Sequence, residues 1–423
     1  MDTSIQPPRE PNYAPYQKEL FLLSQQGSHP EFSTRPDRLE ELAKESLSEG
    51  GWLYASCNAG IGWTDRANRE DANIRYSAIC RWRITPRMLV DTTARDTTTE
   101  LFGHKINAPI AFAPIGINKI YHPLGELNAA KVAEELNIPY CLSTAGSQPI
   151  EDVGKANGDG PRFFQLYCPH DEELEDSLLQ RAWDSGFDVC IMTLDTWQLA
   201  WRHEDIANSN YAFYRGIGAE IGLTDPVFRK RIKEAGLDPE KQEDMPKIGE
   251  KWIDNVWHGK AHTWDKIPKL IKKWKAISNG RPFLLKGIQH PDDARKAVEV
   301  GCDGIVVSNH AGRQVDGAVG SLEVLPEIVE AVGDKCTILF DSGIRTAADV
   351  FKALALGAKA VLVGRLYVFG MGIAGEAGVR HVMKSLLAEF DILMNCAGVN
   401  KVEDIKKSHL RYIEGVGGLS GTL

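Results

Sequence analysis

Eight short apolar runs recur along the chain from about residue 109, and few folds can bury them all. They fall at 109–113, 139–143, 162–167, 189–193, 282–286, 304–308, 337–341 and 360–364. Between most of them lie amphipathic stretches such as 171–186 and 291–301. The second opens on Pro291 and stops at Gly301, residues that start and end helices. A strand apolar on both faces must be covered on both, and parallel strands need helical crossovers to join them. Eight βα units in series therefore predict an α/β fold, a parallel (β/α)8 TIM barrel, with a doubly wound open sheet as the alternative.

Two stretches fall outside the alternation. Residues 1–27 read as an N-terminal arm with a Pro-rich start, ahead of a domain over 28–423, and a helical pattern near 38–48 precedes the barrel. Residues 203–281 join the fourth and fifth runs, far longer than the roughly 2–6 loop residues plus one helix of an ordinary connection. This stretch carries Trp252, Trp257, Trp264 and Trp274 and begins just after a strand's C-terminal end, where barrel active sites lie. A lid over about 203–265 is one reading; a packing or oligomer-contact excursion is the other.

Composition excludes several classes of partner. A hydrophobic content of 43% with 25% charged residues is that of a soluble globular protein. The net charge of −9 leaves no basic footprint for nucleic acid or an anionic membrane, so a small acid would depend on local arginines. No run reaches the roughly 18 apolar residues of a membrane span. The N-terminus lacks the basic start and apolar core of a signal peptide, and Gly421-Thr422-Leu423 is not a Ser-Lys-Leu signal. Eight cysteines without a C-x-x-C pair read as reduced core residues, so the expected location is the cytoplasm.

The C-terminal ends of the runs carry the chemistry. In order they offer Pro114-Ile115-Gly116, Ser143, Gln165 with Tyr167, Thr193 with Asp195 and then Arg202, and Lys286. The last three offer Ser308 with His310 and Arg313, Asp341-Ser342-Gly343-Ile344-Arg345, and Gly364-Arg365. An imidazole can take a proton near neutral pH, and a guanidinium can hold a carboxylate through two parallel hydrogen bonds. Glycine and arginine after the seventh and eighth strands suit a phosphate. Two other patterns carry less. Gly370 to Gly375 spells G-x-G-x-x-G, but no strand follows it, so glycine spacing at a helix start is the better account. His258 and His262 have metal-like spacing without a following glutamate and read as solvated, so no metal is expected.

The stretches Ser308-Asn309-His310-Ala311-Gly312-Arg313-Gln314, Leu285-Lys286-Gly287, Phe164-Gln165-Leu166-Tyr167 and Asp341-Ser342-Gly343-Ile344-Arg345 resemble those of the FMN-dependent α-hydroxy acid oxidases and dehydrogenases. The resemblance runs from about Leu39 to Arg411. Thr193-Leu194-Asp195-Thr196-Trp197, Trp201-Arg202, 224–229 and 263–265, with the long fourth connection, look most like the lactate 2-monooxygenase branch. The resemblance implies FMN as cofactor, a small 2-hydroxy acid and O2 as substrates, and a homo-oligomer, tetramer or octamer. It implies His310 as the base, with Asp195 holding its ring. Arg202 and Arg313 would grip the carboxylate, and Tyr54 and Tyr167 would bond its oxygens. Lys286 would sit beside the flavin ring. Gln165, Thr193 and Ser143 would bond the ring edge, with Pro114, Ile115 and Gly116 beneath it and Ser308 close by. Asp341, Ser342, Gly343, Arg345, Gly364 and Arg365 would form the phosphate end.

The implied reaction is oxidation of L-lactate, most consistent with decarboxylation to acetate, CO2 and water, the alternative being release of the keto acid and H2O2. Five positions depart from the family pattern. Ala311 replaces a glycine, Cys57-Asn58 replaces a smaller pair near Tyr54, Ala145 stands where a bulky tryptophan occurs, and His203 replaces a proline.

Overall fold

The computed structural model describes residues 10–30, 32–69, 78–257 and 259–413. All eight runs form parallel strands: Ile110–Phe112, Tyr140–Ser143, Arg162–Leu166, Val189–Thr193, Phe283–Ile288, Gly304–Val307, Thr337–Phe340 and Ala360–Val363. The eighth pairs back onto the first, with Val361 opposite Ile110, so the sheet closes into a barrel and the open-sheet alternative falls away.

Strand alternation sorts the side chains into two cores. Residues pointing outward, such as Ile110, Phe164, Leu285 and Val307, join one cluster with the surrounding helices. Their neighbours Ala111, Cys141, Phe163, Val189, Ile191, Leu284, Val306, Leu339 and Leu362 fill the barrel itself. Leu101 and Ile106, from the hairpin Thr99–Leu101 and His104–Ile106, join that inner cluster and plug the barrel's N-terminal end. The same inward register continues two residues further along each strand to Ser143, Gln165, Thr193, Lys286, Ser308, Asp341 and Gly364. Polarity therefore switches at the C-terminal layer while the register does not.

The fifth strand breaks that register once. The ladder shifts between Lys286 and Ile288, and Gly287 takes a φ of 104°. The bulge re-aims the chain just after Lys286.

Segments outside the repeat are packed against it. The arm forms the helix Pro15–Gln25, and just ahead of it the buried Asp391 carboxylate accepts hydrogen bonds from the Tyr13 and Ala14 backbone N–H groups and from Arg95 Nε at 2.7 Å. The Pro-rich residues 1–9 lie outside the described residues. The fourth connection folds into short helices, Pro226–Glu234 and Met245–Val256 among them, around the fully buried Trp252 and Phe213. Arg181 of the helix Glu172–Asp184 joins it to the barrel through Asp225 at 3.1 Å. No described helix is long and apolar enough to cross a membrane.

The G-x-G-x-x-G stretch lies inside the final helical segment Arg365–Ala397, which is interrupted at Ala374 and Gly375. A Cβ on Gly378 would stand 1.9 Å from the Gly370 carbonyl oxygen, so glycine here permits two turns to meet. Gly375, with φ 56°, starts the second part of the helix. His258 lies outside the described residues, and His262 Nε2 sits 2.9 Å from the Cys168 carbonyl oxygen.

Candidate active site

The polar layer opens into a cleft at the C-terminal mouth of the barrel. Of the residues expected from sequence, Tyr54, Tyr167, His310 and Arg313 line it. So do Pro114, Ile115, Gly116, Ser143 and Lys286, and at its other parts Asp341, Ser342, Gly343, Arg345, Gly364 and Arg365. Asp195, Gln165, Thr193, Ser308 and Arg202 do not line it, and each is bonded into the layer behind.

His310 Nδ1 is 2.7 Å from Asp195 Oδ1, and the Thr196 hydroxyl donates to the same oxygen at 2.8 Å. An ionised carboxylate only accepts, so Nδ1 carries the ring proton and Nε2 keeps its lone pair. Burial pushes the His310 imidazole below its ordinary range against the opposing pull of Asp195. Burial alone would raise the Asp195 carboxyl, but the charges of His310 and Lys286 and the bonds from His310 and Thr196 bring it down to about 2. At neutral pH the pair is a neutral imidazole on a carboxylate.

Lys286 Nζ donates to Ser308 Oγ at 2.9 Å and lies 3.2 Å from Asp341 Oδ2. Burial opposes its charge, yet Asp341 and Asp195 raise it above the usual lysine value, so it stays an ammonium. Gln165 accepts from Ser143 Oγ at 3.0 Å and donates to Thr193 Oγ1 at 2.9 Å, which fixes its amide orientation.

The guanidinium groups are differently engaged. Arg313 donates to the carbonyls of Tyr54 and Cys57, both at 2.8 Å, and stacks 5.0 Å over the Tyr54 ring. Arg202 is held behind it by the Arg313 carbonyl at 3.2 Å and by Gln314 Oε1 at 3.0 Å. Burial, and then the like charge of Arg313, lower Arg202 to about 10, so an anion at this place would relieve both groups. Arg365 is a staple as well as a lining residue. It donates to Ala55 O at 2.9 Å, Asp65 Oδ1 at 2.9 Å, Ala311 O at 3.3 Å and Asn58 Oδ1 at 2.6 Å.

The histidine loop is strained. His310 and Ala311 have φ of 56° and 55°, a left-handed pair without glycine. Ala311, which replaces a glycine of the family pattern, therefore costs about 1 kcal/mol relative to glycine. Ser342 Oγ holds the loop by accepting from Ala311 N at 3.0 Å. Sequence reasoning missed Tyr121 and gave Trp257 no individual role within the fourth connection, yet both line the cleft. Neither follows a barrel strand directly, so the strand-end rule could not find them. Thr196 and Gln314, quoted in motifs without a role, turn out to bond Asp195 and Arg202.

The chain belongs to the FMN-dependent dehydrogenase family, whose model matches residues 43–412. It is 43% identical over 413 residues to the FMN-dependent alpha-hydroxy acid dehydrogenase qulF of Penicillium citrinum, covering 97% of this chain and 99% of that protein. It is 36% identical over 368 residues to an L-lactate oxidase of Lysinibacillus sphaericus, covering 87% of this chain and 90% of that protein. A crystal structure of mandelate oxidase superposes with a TM-score of 0.75 at 31% identity, covering 91% of this chain and 100% of that one. The protein is thus an FMN-dependent α-hydroxy acid oxidoreductase.

The cleft fits that cofactor. The buried Lys286 ammonium and the Ser143 hydroxyl, the latter fixed from behind by the Gln165 amide, suit the heteroatoms of a flavin ring. The final helix begins at Gly364 without a side-chain cap, so its first N–H groups suit a phosphate, beside Arg345 and Arg365. Ser342 and Gly343, with φ of 82° and 92°, turn the backbone at the same corner.

Gly287 is the weak point of the Asp195 placement. A Cβ there would lie 2.9 Å from Asp195 Oδ2, on a backbone that already disfavours side chains. Gly287→Ala should lower stability by about 1–3 kcal/mol and loosen the His310–Asp195 bond. Urea denaturation checks it; a variant as stable as the parent would contradict this packing.

Proposed function

We propose that the protein oxidises a small L-2-hydroxy acid, with L-lactate as the reference substrate and O2 as the final acceptor. The observation that carries the reading is the neutral His310 imidazole, held by buried Asp195 in the same cleft as the Arg313 guanidinium. A base and a carboxylate grip side by side are what removal of a proton near C2 of a 2-hydroxy acid requires.

When bound, FMN supplies the two-electron acceptor and passes the electrons on to O2. His310 Nε2 takes the proton from the substrate, and Asp195 stabilises the imidazolium that results. Arg313, reinforced by Arg202, orients the carboxylate. Burial raises the Tyr54 and Tyr167 hydroxyls, so both stay protonated and donate to substrate oxygens. Lys286 would offset negative charge on the ring. Ser143, with Gln165 and Thr193 bonded behind it, would fix the ring edge, and the loops at 342–345 and 364–365 would hold the phosphate. The buried thiols of Cys57, Cys141, Cys168, Cys190 and Cys302 support a reducing compartment such as the cytoplasm. Exposed Ile61, Trp63, Trp201 and Val315 support assembly into a homo-oligomer.

The fourth connection supports a decarboxylating outcome. Trp257 packs edge-on to Tyr167 at 5.3 Å within the cleft, as a lid retaining the keto acid would. L-Lactate and O2 then give acetate, CO2 and water. Likeness to an L-lactate oxidase favours the second reading, in which pyruvate and H2O2 leave separately. Product analysis of FMN-saturated protein with L-lactate in air separates them. Acetate and CO2 without free peroxide is the expected result. Pyruvate with stoichiometric H2O2 would remove the decarboxylation, and no product from any 2-hydroxy acid would remove the function.

The pH profile follows from the base. His310 must be unprotonated to act, and its pKa is depressed below 6.5, so the acid limb of kcat/KM should have its midpoint below 6.5. Activity is kept from there upward through neutral pH and lost as pH falls through that midpoint. A limb centred above 7 would contradict the assignment.

A further inference from the structure

Trp257 directly follows the helix Met245–Val256, is only 6% exposed and lines the cleft. Its indole nitrogen is buried without a hydrogen-bond partner among the described residues. An indole N–H can only donate, and proteins normally supply an acceptor. Trp274 shows the usual solution, donating to the Pro282 carbonyl at 2.9 Å. Trp252 also lacks a partner, but it is enclosed in the connection's own core against Phe228 and does not line the cleft. Trp257 combines both conditions, an unpaired donor and a place on the cleft wall.

The ring cannot easily turn away. Tyr167 meets it edge-on at 5.3 Å and Phe213 at 4.7 Å. Under the function proposed above, the substrate's carboxylate and C2 oxygen are already served by Arg313, Tyr54, Tyr167 and His310. Trp257 enters from the fourth connection instead of a strand end. Ala145, with its single methyl, lines the same cleft. We infer that the Trp257 N–H donates to an oxygen on the substrate's side chain, making this residue a determinant of specificity. The enzyme would then prefer L-2-hydroxy acids carrying an ether, hydroxyl or carbonyl oxygen beyond C2 over alkyl ones of the same size. L-Lactate, whose side chain is a methyl group, leaves the donor unpaired and is the poorer fit. The inference rests on the proposed oxidation of 2-hydroxy acids and adds the side-chain class.

The test uses the FMN-loaded enzyme and two acids of equal heavy-atom count, L-2-hydroxy-3-methoxypropanoate and L-2-hydroxypentanoate. An ether oxygen can accept a hydrogen bond but not donate one, and a methylene can do neither. Trp257→Phe keeps an aromatic side chain of smaller size and removes the N–H. It should lower kcat/KM for the methoxy acid about ten times more than for the pentanoate. Equal losses on both acids, or no loss on either, would overturn the assignment. If the parent enzyme oxidises neither acid nor L-lactate, the proposed function falls and takes this inference with it. If the parent oxidises both and the ratio is unmoved by the substitution, the Trp257 assignment alone falls.

Discussion

The buried carboxylate of Asp195 is the charge around which the mouth of the barrel is arranged. It is held ionised by His310 and Lys286 together, and in turn it pulls both partners toward their charged forms. A buried anion with one oxygen bonded and the other packed against Gly287 is costly to create, and the cost is met only while all its neighbours are in place. Lys286 in turn depends on Asp341, and Ser308 ties Lys286 to the His310 backbone at 3.0 Å. Strands four, five, six and seven are thus joined through one electrostatic unit.

The second dependence is on sequence far from the barrel strands. Arg313 reaches the carbonyls of Tyr54 and Cys57, and Arg365 reaches Asp65 and Asn58. Asp316 caps the Ile61 and Thr64 amides at 2.9 and 3.2 Å, and Asn309 exchanges two amide bonds with buried Asn68. The segment before the repeat is therefore a wall of the site. These guanidinium groups face the cleft on one side and cap helix carbonyls on the other. That sharing explains why a substituted pair such as Cys57-Asn58 is accommodated: its backbone carbonyl and amide oxygen both have a cation to meet.

Much of this was legible in the sequence because the barrel obeys simple periodicities. Eight apolar runs became eight strands, and the inward register could be extended from Leu284 to Lys286 or from Ile191 to Thr193 without further information. Chemistry at the strand ends was equally readable, since polar residues in an apolar register stand out. What escaped depends on tertiary placement. Tyr121 comes from a turn after the first strand, and Trp257 from a connection whose path no local pattern fixes. The engagement of Arg365 with Asp65 spans 300 residues and has no local signal. The left-handed backbone at Ala311 was hidden because alanine does not advertise it, as glycine would have.

The most direct test of the account is anaerobic mixing of the FMN-loaded protein with L-lactate, following the flavin's visible absorbance in the parent and in His310→Gln. Loss of the oxidised spectrum in the parent, and its persistence in a variant that still holds FMN, is the predicted result. Bleaching at the parental rate in the variant would contradict the claim that His310, held by Asp195, is the group that takes the proton.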